Sequence, residues 1–200
     1  MSDTRVFAIT TICTGNICRS PFAEARLRHS FPSGQVHVSS AGSQATTGRS
    51  VPDDARLIAS NYGIDLSRHR SRALTPELVD GSALMLGLAR EHRRAAVVLK
   101  PRASRYAFTL IEFALLTQTV TRNDLAPLSD IPRENVPERM AAIVTVLASR
   151  RGFLPVLSSS DELDVPDPFG GPRASYEASS AKIDRTCATI DEFMAHALAL

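Results

Sequence analysis

Two hundred residues, 44% hydrophobic and 22% charged, fit one soluble globular domain with enough apolar mass for a buried core. A net charge of only +2 gives no basis for a nucleic-acid binder or a protein held on a membrane surface by charge. The odd count of three cysteines argues against a structural disulfide framework and makes a reducing cytoplasm the expected compartment.

Met1 to Arg5 lead into a short run, Val6 to Ile12, that reads as a strand and not as a signal-peptide core. No apolar run approaches the ~18 residues of a membrane helix. Residues 5–12, apolar and β-branched, predict a buried strand. Ser20 and Pro21 then read as an N-cap followed by Pro at the first helical position, with a helical apolar pattern from Phe22 to Phe31. Residues 35–39 alternate as a second strand. Residues 51–65 predict a helix capped at Asp53 or before and stopped at Gly63. A third strand is expected over 82–89, a basic helix from Arg90 to Val98, and a short strand turning into a helix over 105–116.

Strands alternating with helices predict an α/β fold, a three-layer open, mostly parallel sheet with helices on both faces. Residues 119–165 break the rhythm with Pro127, Pro132, Pro137 and Pro155. They hold one amphipathic helix, from about Asn135 to Gly152, with Met140, Ile143, Val144 and Leu147 on one face. This stretch reads as a partly helical insertion in a single domain spanning 1–200. A long helix closes the chain over 173–199, with Tyr176, Ile183, Cys187, Ile190, Met194 and Leu198 as its core stripe.

In open α/β sheets the ligand lies beyond the carboxyl ends of the strands, where residues 13–20 fall. Cys13 and Cys18 stand five apart there, around Gly15 and Asn16. Zinc needs four ligands, and the remaining cysteine, Cys187, has no His pair near it; no metal is expected. A thioredoxin-like motif needs two residues between the cysteines, not four. The other pairing is Cys13 with Arg19. A loop between them at a helix N-terminus turns backbone N–H groups inward as an anion nest. Gly15 and Asn16 suit the left-handed turns it needs. Arg19 can grip two phosphate oxygens at once, and a thiol in that field should ionise readily and act as a nucleophile.

The run Cys13-Thr14-Gly15-Asn16-Ile17-Cys18-Arg19-Ser20-Pro21 resembles the low-molecular-weight protein tyrosine phosphatases at every fixed position of their loop. Residues 39–43 with 48–55, residues 63–72, and Asp164 to Gly171 are similar to further family segments, in the family's order. The resemblance implies a cysteine-dependent phosphatase acting on protein phosphotyrosine through a phosphocysteine. In that reading Cys13 attacks phosphorus, while Arg19 and the amides of Thr14, Gly15, Asn16, Ile17 and Cys18 hold the oxygens. Ser20 supports the thiolate, and Asp167 beside Pro168 is the acid and then the base. Ser40 and His69 support Asn16, Phe169 is one pocket wall, and no cofactor is needed. Ile17, where phosphoarginine enzymes of the family carry Thr, points to tyrosine. Gln44 to Gly48 lacks the aromatic that often forms the opposite wall, which predicts a more open pocket.

Other readings stay open at this level. Cys18 either guards Cys13 through a reversible disulfide or packs as a small hydrophobe. Asp164 is the rival acid; Asp161 and Glu162 read as a solvated run. His29, His37, His92 and His196 look ordinary. An arsenate reductase resolved by a small thiol is the runner-up, the thioredoxin-coupled type being closed because 70–100 contain no cysteine. A silent phosphate-binding module is the non-enzymatic alternative. The substrate protein and the oligomeric state are not legible.

Overall fold

The computed structural model describes residues 6–31 and 34–200; the first residue of the expected opening strand, Arg5, and the Met1–Arg5 reading lie outside them. Among these residues four strands form one sheet: β1 (Phe7–Cys13), β2 (Val36–Gly42), β3 (Leu84–Gly87) and β4 (Ala107–Thr109). Their order is β2-β1-β3-β4 and every pairing is parallel. The α/β expectation therefore holds.

Among the described residues seven α-helices accompany the sheet: α1 (Arg19–Arg28), α2 (Asp53–Ser60), α3 (Pro76–Asp80), α4 (Arg90–Leu99), α5 (Leu110–Thr117), α6 (Val136–Ser149) and α7 (Arg173–Ala199). Period-two alternation splits the strands between two cores. Ile9, Leu84, Leu86 and Phe108 face a large core shared with α1, α5, α6 and α7. Ile12, Met85 and Ala107 face a smaller one with Val79 of α3 and Ala96 of α4. Helices thus cover both faces, as parallel strands require.

The sequence placed the elements well and their ends less well. Helix α1 begins at Arg19, with Cys18 at its N-cap and no capping side chain, so Ser20 is inside the helix and not its cap. Thr109 does cap α5, in a reciprocal pair with Glu112. The predicted stripe of α6 is buried at Met140, Ile143, Val144 and Leu147, and the helix packs on β1, α5 and α7. Segment 119–165 thus feeds the large core. It also buries Arg139, 1% exposed, whose guanidinium donates to the carbonyls of Leu128, Ile131 and Ala197.

Two close approaches shape the site. A Cβ at Gly42, the end of β2, would lie 2.6 Å from the carbonyl oxygen of Thr14 and 2.9 Å from the amide nitrogen of Asn16. One at Gly87, the end of β3, would lie 2.7 Å from the amide of Arg93 in α4. Glycine at these strand ends lets the loop after β1 pack against the end of β2 and the first turn of α4 against the end of β3.

Candidate active site

Central strand β1 ends at Cys13 and the chain bends through 14–18 into α1, which puts the loop at the carboxyl edge of the sheet. The Cys13 sulfur receives a hydrogen bond from the Asn16 amide at 3.2 Å and lies 3.0 Å from the Ser20 hydroxyl. The loop's one left-handed residue is Asn16, at φ 53°; Gly15 is not left-handed, contrary to the expectation for both. A Cβ at Gly15 would instead come within 3.3 Å of Ile17 Cγ1.

Asn16 is fully engaged. Its side-chain NH2 donates to Ser20 Oγ at 2.9 Å and Ser40 Oγ at 2.8 Å, and its Oδ1 accepts from the Arg72 amide. Its carbonyl oxygen lies 2.8 Å from His69 Nε2. Ser40 in turn donates a hydrogen bond to Glu24 Oε2 at 2.6 Å. The structure brings Ser40 and His69 to Asn16, together with Arg72 from the same 63–72 segment and with Glu24, which the sequence did not single out. Such a network, buried and satisfied at each group of Asn16, fixes a strained residue in place.

Arg19 lies beneath the loop, 4% exposed, and donates to the Val165 carbonyl at 3.1 Å, to Thr14 Oγ1 at 3.2 Å and to Asp167 Oδ2 at 2.6 Å. The last contact joins residues 148 apart in sequence. The acid loop is held on several sides: Val165 N–H donates to Leu88 O, Lys182 Nζ donates to Asp164 O, and Asp167 Oδ1 accepts from the Phe169 amide. The rival carboxylate Asp164 is engaged elsewhere, accepting from the amide of Arg90 at 2.7 Å and from its guanidinium. Burial works against its ionisation, but those hydrogen bonds hold its carboxyl below the usual carboxylate range. Asp161 pairs with the same arginine, so it is not merely solvated.

Cys13, Cys18, Arg19, Asp167 and Phe169 line one cavity of about 200 Å³. Phe169 is 55% exposed, and the Arg49 guanidinium sits 5.9 Å from its ring centroid. Gln44, which opens the loop that lacks the second aromatic, lines the cavity together with Arg49, which the sequence did not single out. Burial, then the charges of Cys13 and Asp167, push the Cys18 thiol up to about 12, so Cys18 stays protonated at neutral pH. All three cysteines are free thiols. Among the described residues no cluster of His, Cys, Asp or Glu is arranged to hold a metal, and no helix is long and apolar enough to cross a membrane.

His92 is not ordinary. It is completely buried against the loop, with Nε2 3.0 Å from Thr14 Oγ1. Burial first, and the charge of Arg19 second, pull its imidazole down to about 3. A histidine lowered from an ordinary ~6.5 binds its proton in the unfolded chain first, so its stabilising effect is full above ~6.5 and fades as pH falls toward 3. Between pH 6.5 and 5 the protein is expected to lose about 1.5 kcal/mol from this group alone. Urea unfolding across that range should show the slope, and His92→Gln should flatten it; equal slopes in both proteins would refute the assignment.

Comparison with known proteins points the same way. The family model described as "Low molecular weight phosphotyrosine protein phosphatase" matches residues 8–126, a span that includes the loop but ends before α6 and Asp167. A Ralstonia solanacearum protein described as a probable low molecular weight protein-tyrosine-phosphatase is 38% identical over 104 residues, 52% of this chain and 70% of that one. A protein-arginine-phosphatase from Geobacillus stearothermophilus is 36% identical over 107 residues, 54% and 71% of the two chains. The solved YwlE arginine phosphatase of that organism superposes with a TM-score of 0.65 at 26% identity, covering 93% of this chain and 91% of its own. Because the family match takes in more than half of the chain, including the whole loop around Cys13, the protein belongs to the low molecular weight phosphotyrosine protein phosphatases and is a cysteine-dependent phosphatase.

Proposed function

We propose that the protein hydrolyses phosphotyrosine in protein substrates. The observation that carries this reading is the convergence of a thiol, a buried guanidinium and a carboxylate in one small cavity at the end of the central strand. Cys13 Sγ attacks phosphorus, and the S–P bond forms as the P–O bond to the phenol breaks. Asp167 gives its proton to the departing phenol oxygen. Arg19 and the loop N–H groups hold the equatorial oxygens, supplying the positive charge without a metal. Asp167 then takes a proton from water as that water attacks phosphocysteine, and phosphate and the Cys13 thiolate are released, with Ser20 donating to the sulfur.

The Arg19–Asp167 pair orders these steps: a phosphate dianion that takes Arg19 displaces Asp167 from it and frees the carboxyl to face the leaving oxygen. Asn16, with Ser40 and His69 behind it, keeps the loop shaped, and Phe169 and Arg49 receive the aryl ring. A reducing compartment such as the cytoplasm suits the free Cys13 thiol. Segment 119–165 is read as an insertion that thickens the scaffold; none of residues 119–163 lines the cavity.

Ile17 favours tyrosine over arginine as the phosphorylated residue. The test is hydrolysis of matched phosphotyrosine and phosphoarginine peptides without metal, with arsenate and a small thiol as a third arm. The tyrosine peptide is expected to be turned over at least tenfold more efficiently. Preference for phosphoarginine would reassign the substrate, and arsenate reduction without phosphatase turnover would overturn the reading.

A further inference from the structure

His92 takes no part in the chemistry above, yet it is wholly buried against the loop. It sits in the first turn of α4, which Gly87 allows to come close: a Cβ at Gly87 would lie 3.2 Å from His92 Cβ. Its Nε2 meets Thr14 Oγ1 at 3.0 Å and Glu91 Oε1 at 3.3 Å, and its buried Nδ1 has no partner. The charged groups around the ring are Arg19, Glu91 and Asp164.

These contacts select a tautomer. The Glu91 carboxylate, 3.3 Å from Nε2, makes a charge contact and no hydrogen bond with the ring, and its negative charge favours the N–H edge of the imidazole there over a bare lone pair. An unpartnered buried N–H is also the costlier orphan, which leaves Nδ1 as the bare lone pair. The imidazole is neutral at working pH and Nε2–H donates to Thr14. Thr14 Oγ1 accepts from Arg19 Nη2 as well, at 3.2 Å. A hydroxyl has two acceptor sites and one proton. With both acceptor sites filled, its proton is left for a third partner, and Thr14 lines the cavity beside Cys13.

We propose that the Thr14 hydroxyl is a further donor to the transferred phosphoryl group, and that His92 is the positioning residue that holds it as a donor. The inference rests on the phosphatase reading above and adds to it a side chain and a residue on a different helix. An ordinary hydroxyl in the loop would be free to accept from Arg19 and donate anywhere. Here the histidine closes the alternative, so the donor is set before substrate arrives, which is the condition for transition-state stabilisation.

The test compares Thr14→Val, which keeps the shape and drops the hydroxyl, with Thr14→Ser, which keeps it. His92→Gln retains an N–H able to reach Thr14, and His92→Met does not. Thr14→Val is expected to lower kcat for an aryl phosphate by roughly tenfold to a hundredfold with a smaller change in KM, and to weaken orthovanadate inhibition by a similar factor. His92→Met should show a comparable loss in the wild-type background and almost none in Thr14→Val. Thr14→Ser and His92→Gln should retain most activity, and 15N NMR should find the proton of His92 on Nε2. Equal losses from His92→Met in both backgrounds, a proton on Nδ1, or a Thr14→Val enzyme with unchanged kcat and vanadate affinity would each overturn the proposal. Thermal midpoints measured beside the kinetics separate a folding defect, which His92→Gln rescue excludes. If the wild type binds vanadate but hydrolyses no aryl phosphate, the functional reading fails, and the coupled loss of vanadate affinity still decides the Thr14–His92 pair.

Discussion

Cys13→Ser is expected to abolish turnover of an aryl phosphate, by on the order of 10⁵-fold or more, while phosphate binding changes only a few fold. The serine oxygen can take the place of sulfur against the Asn16 amide and Ser20, so the loop keeps its shape. What is lost is the nucleophile: a hydroxyl stays protonated where a thiolate can form, and no general base stands in its place. Any phosphoserine that did form would persist, because an alkoxide leaves phosphorus far less readily than a thiolate. Cys18→Ser is the control. Its thiol, pushed up to about 12 mainly by burial, is not the reacting sulfur, so reduced Cys18→Ser enzyme should keep most of its activity. Steady-state rates and calorimetric phosphate titrations of the two variants check the pair. A Cys13→Ser enzyme within a hundredfold of wild type would remove Cys13 from the chemistry.

The asymmetry between the two cysteines shows what a sequence can carry. Cys13, Arg19 and the residues between them are legible because one strand–loop–helix unit fixes their geometry locally, and seven successive residues suffice to specify it. Asp167 is legible only through its pairing with Pro168 and an aromatic, since nothing in the chain near it points to Arg19. The Thr14–His92 contact joins residues 78 apart, and no periodicity marks His92 off from any other histidine of an amphipathic helix. Arg49 lies at the rim because a loop brings it over Phe169, again a tertiary event.

Ser20 is the instructive misreading. Ser before Pro is a sound N-cap signal, and it loses here because the helix opens two residues earlier, at Arg19 with Cys18 as its N-cap. That start aims the Ser20 hydroxyl at Cys13 and Asn16 rather than at a helix amide. Local capping preference gave way to the needs of the loop, as it does where a functional site overrides a local rule. The φ of Asn16 belongs to the same exchange: the chain takes its left-handed turn at a residue whose side chain can hold the loop, not at the neighbouring glycine.

Asp167→Asn is expected to slow kcat by about 10² to 10³-fold with a good activated acid–base role lost in both half-reactions. The size of the loss should depend on the leaving group. Phenol and tyrosine leave as poor anions and need the proton from Asp167 as the P–O bond breaks; nitrophenol is stable as an anion and needs it little. Formation of phosphocysteine from nitrophenyl phosphate should therefore survive the substitution far better than formation from phenyl phosphate. Hydrolysis of phosphocysteine should stay slow for both, because water still lacks its base. A burst of nitrophenol followed by a slow steady rate is the predicted signature, read by stopped-flow absorbance. Asn keeps an oxygen for Arg19 and loses the charge, so the variant also separates the acid from the resting ion pair, whose Oδ2 is only 2.6 Å from Arg19 Nη2. If the pair merely blocked the pocket, Asp167→Asn would bind phosphate more tightly and turn over both esters faster. If Asp167 is the acid and base, tighter phosphate binding would accompany slower chemistry, and that opposition between binding and rate is the result to look for.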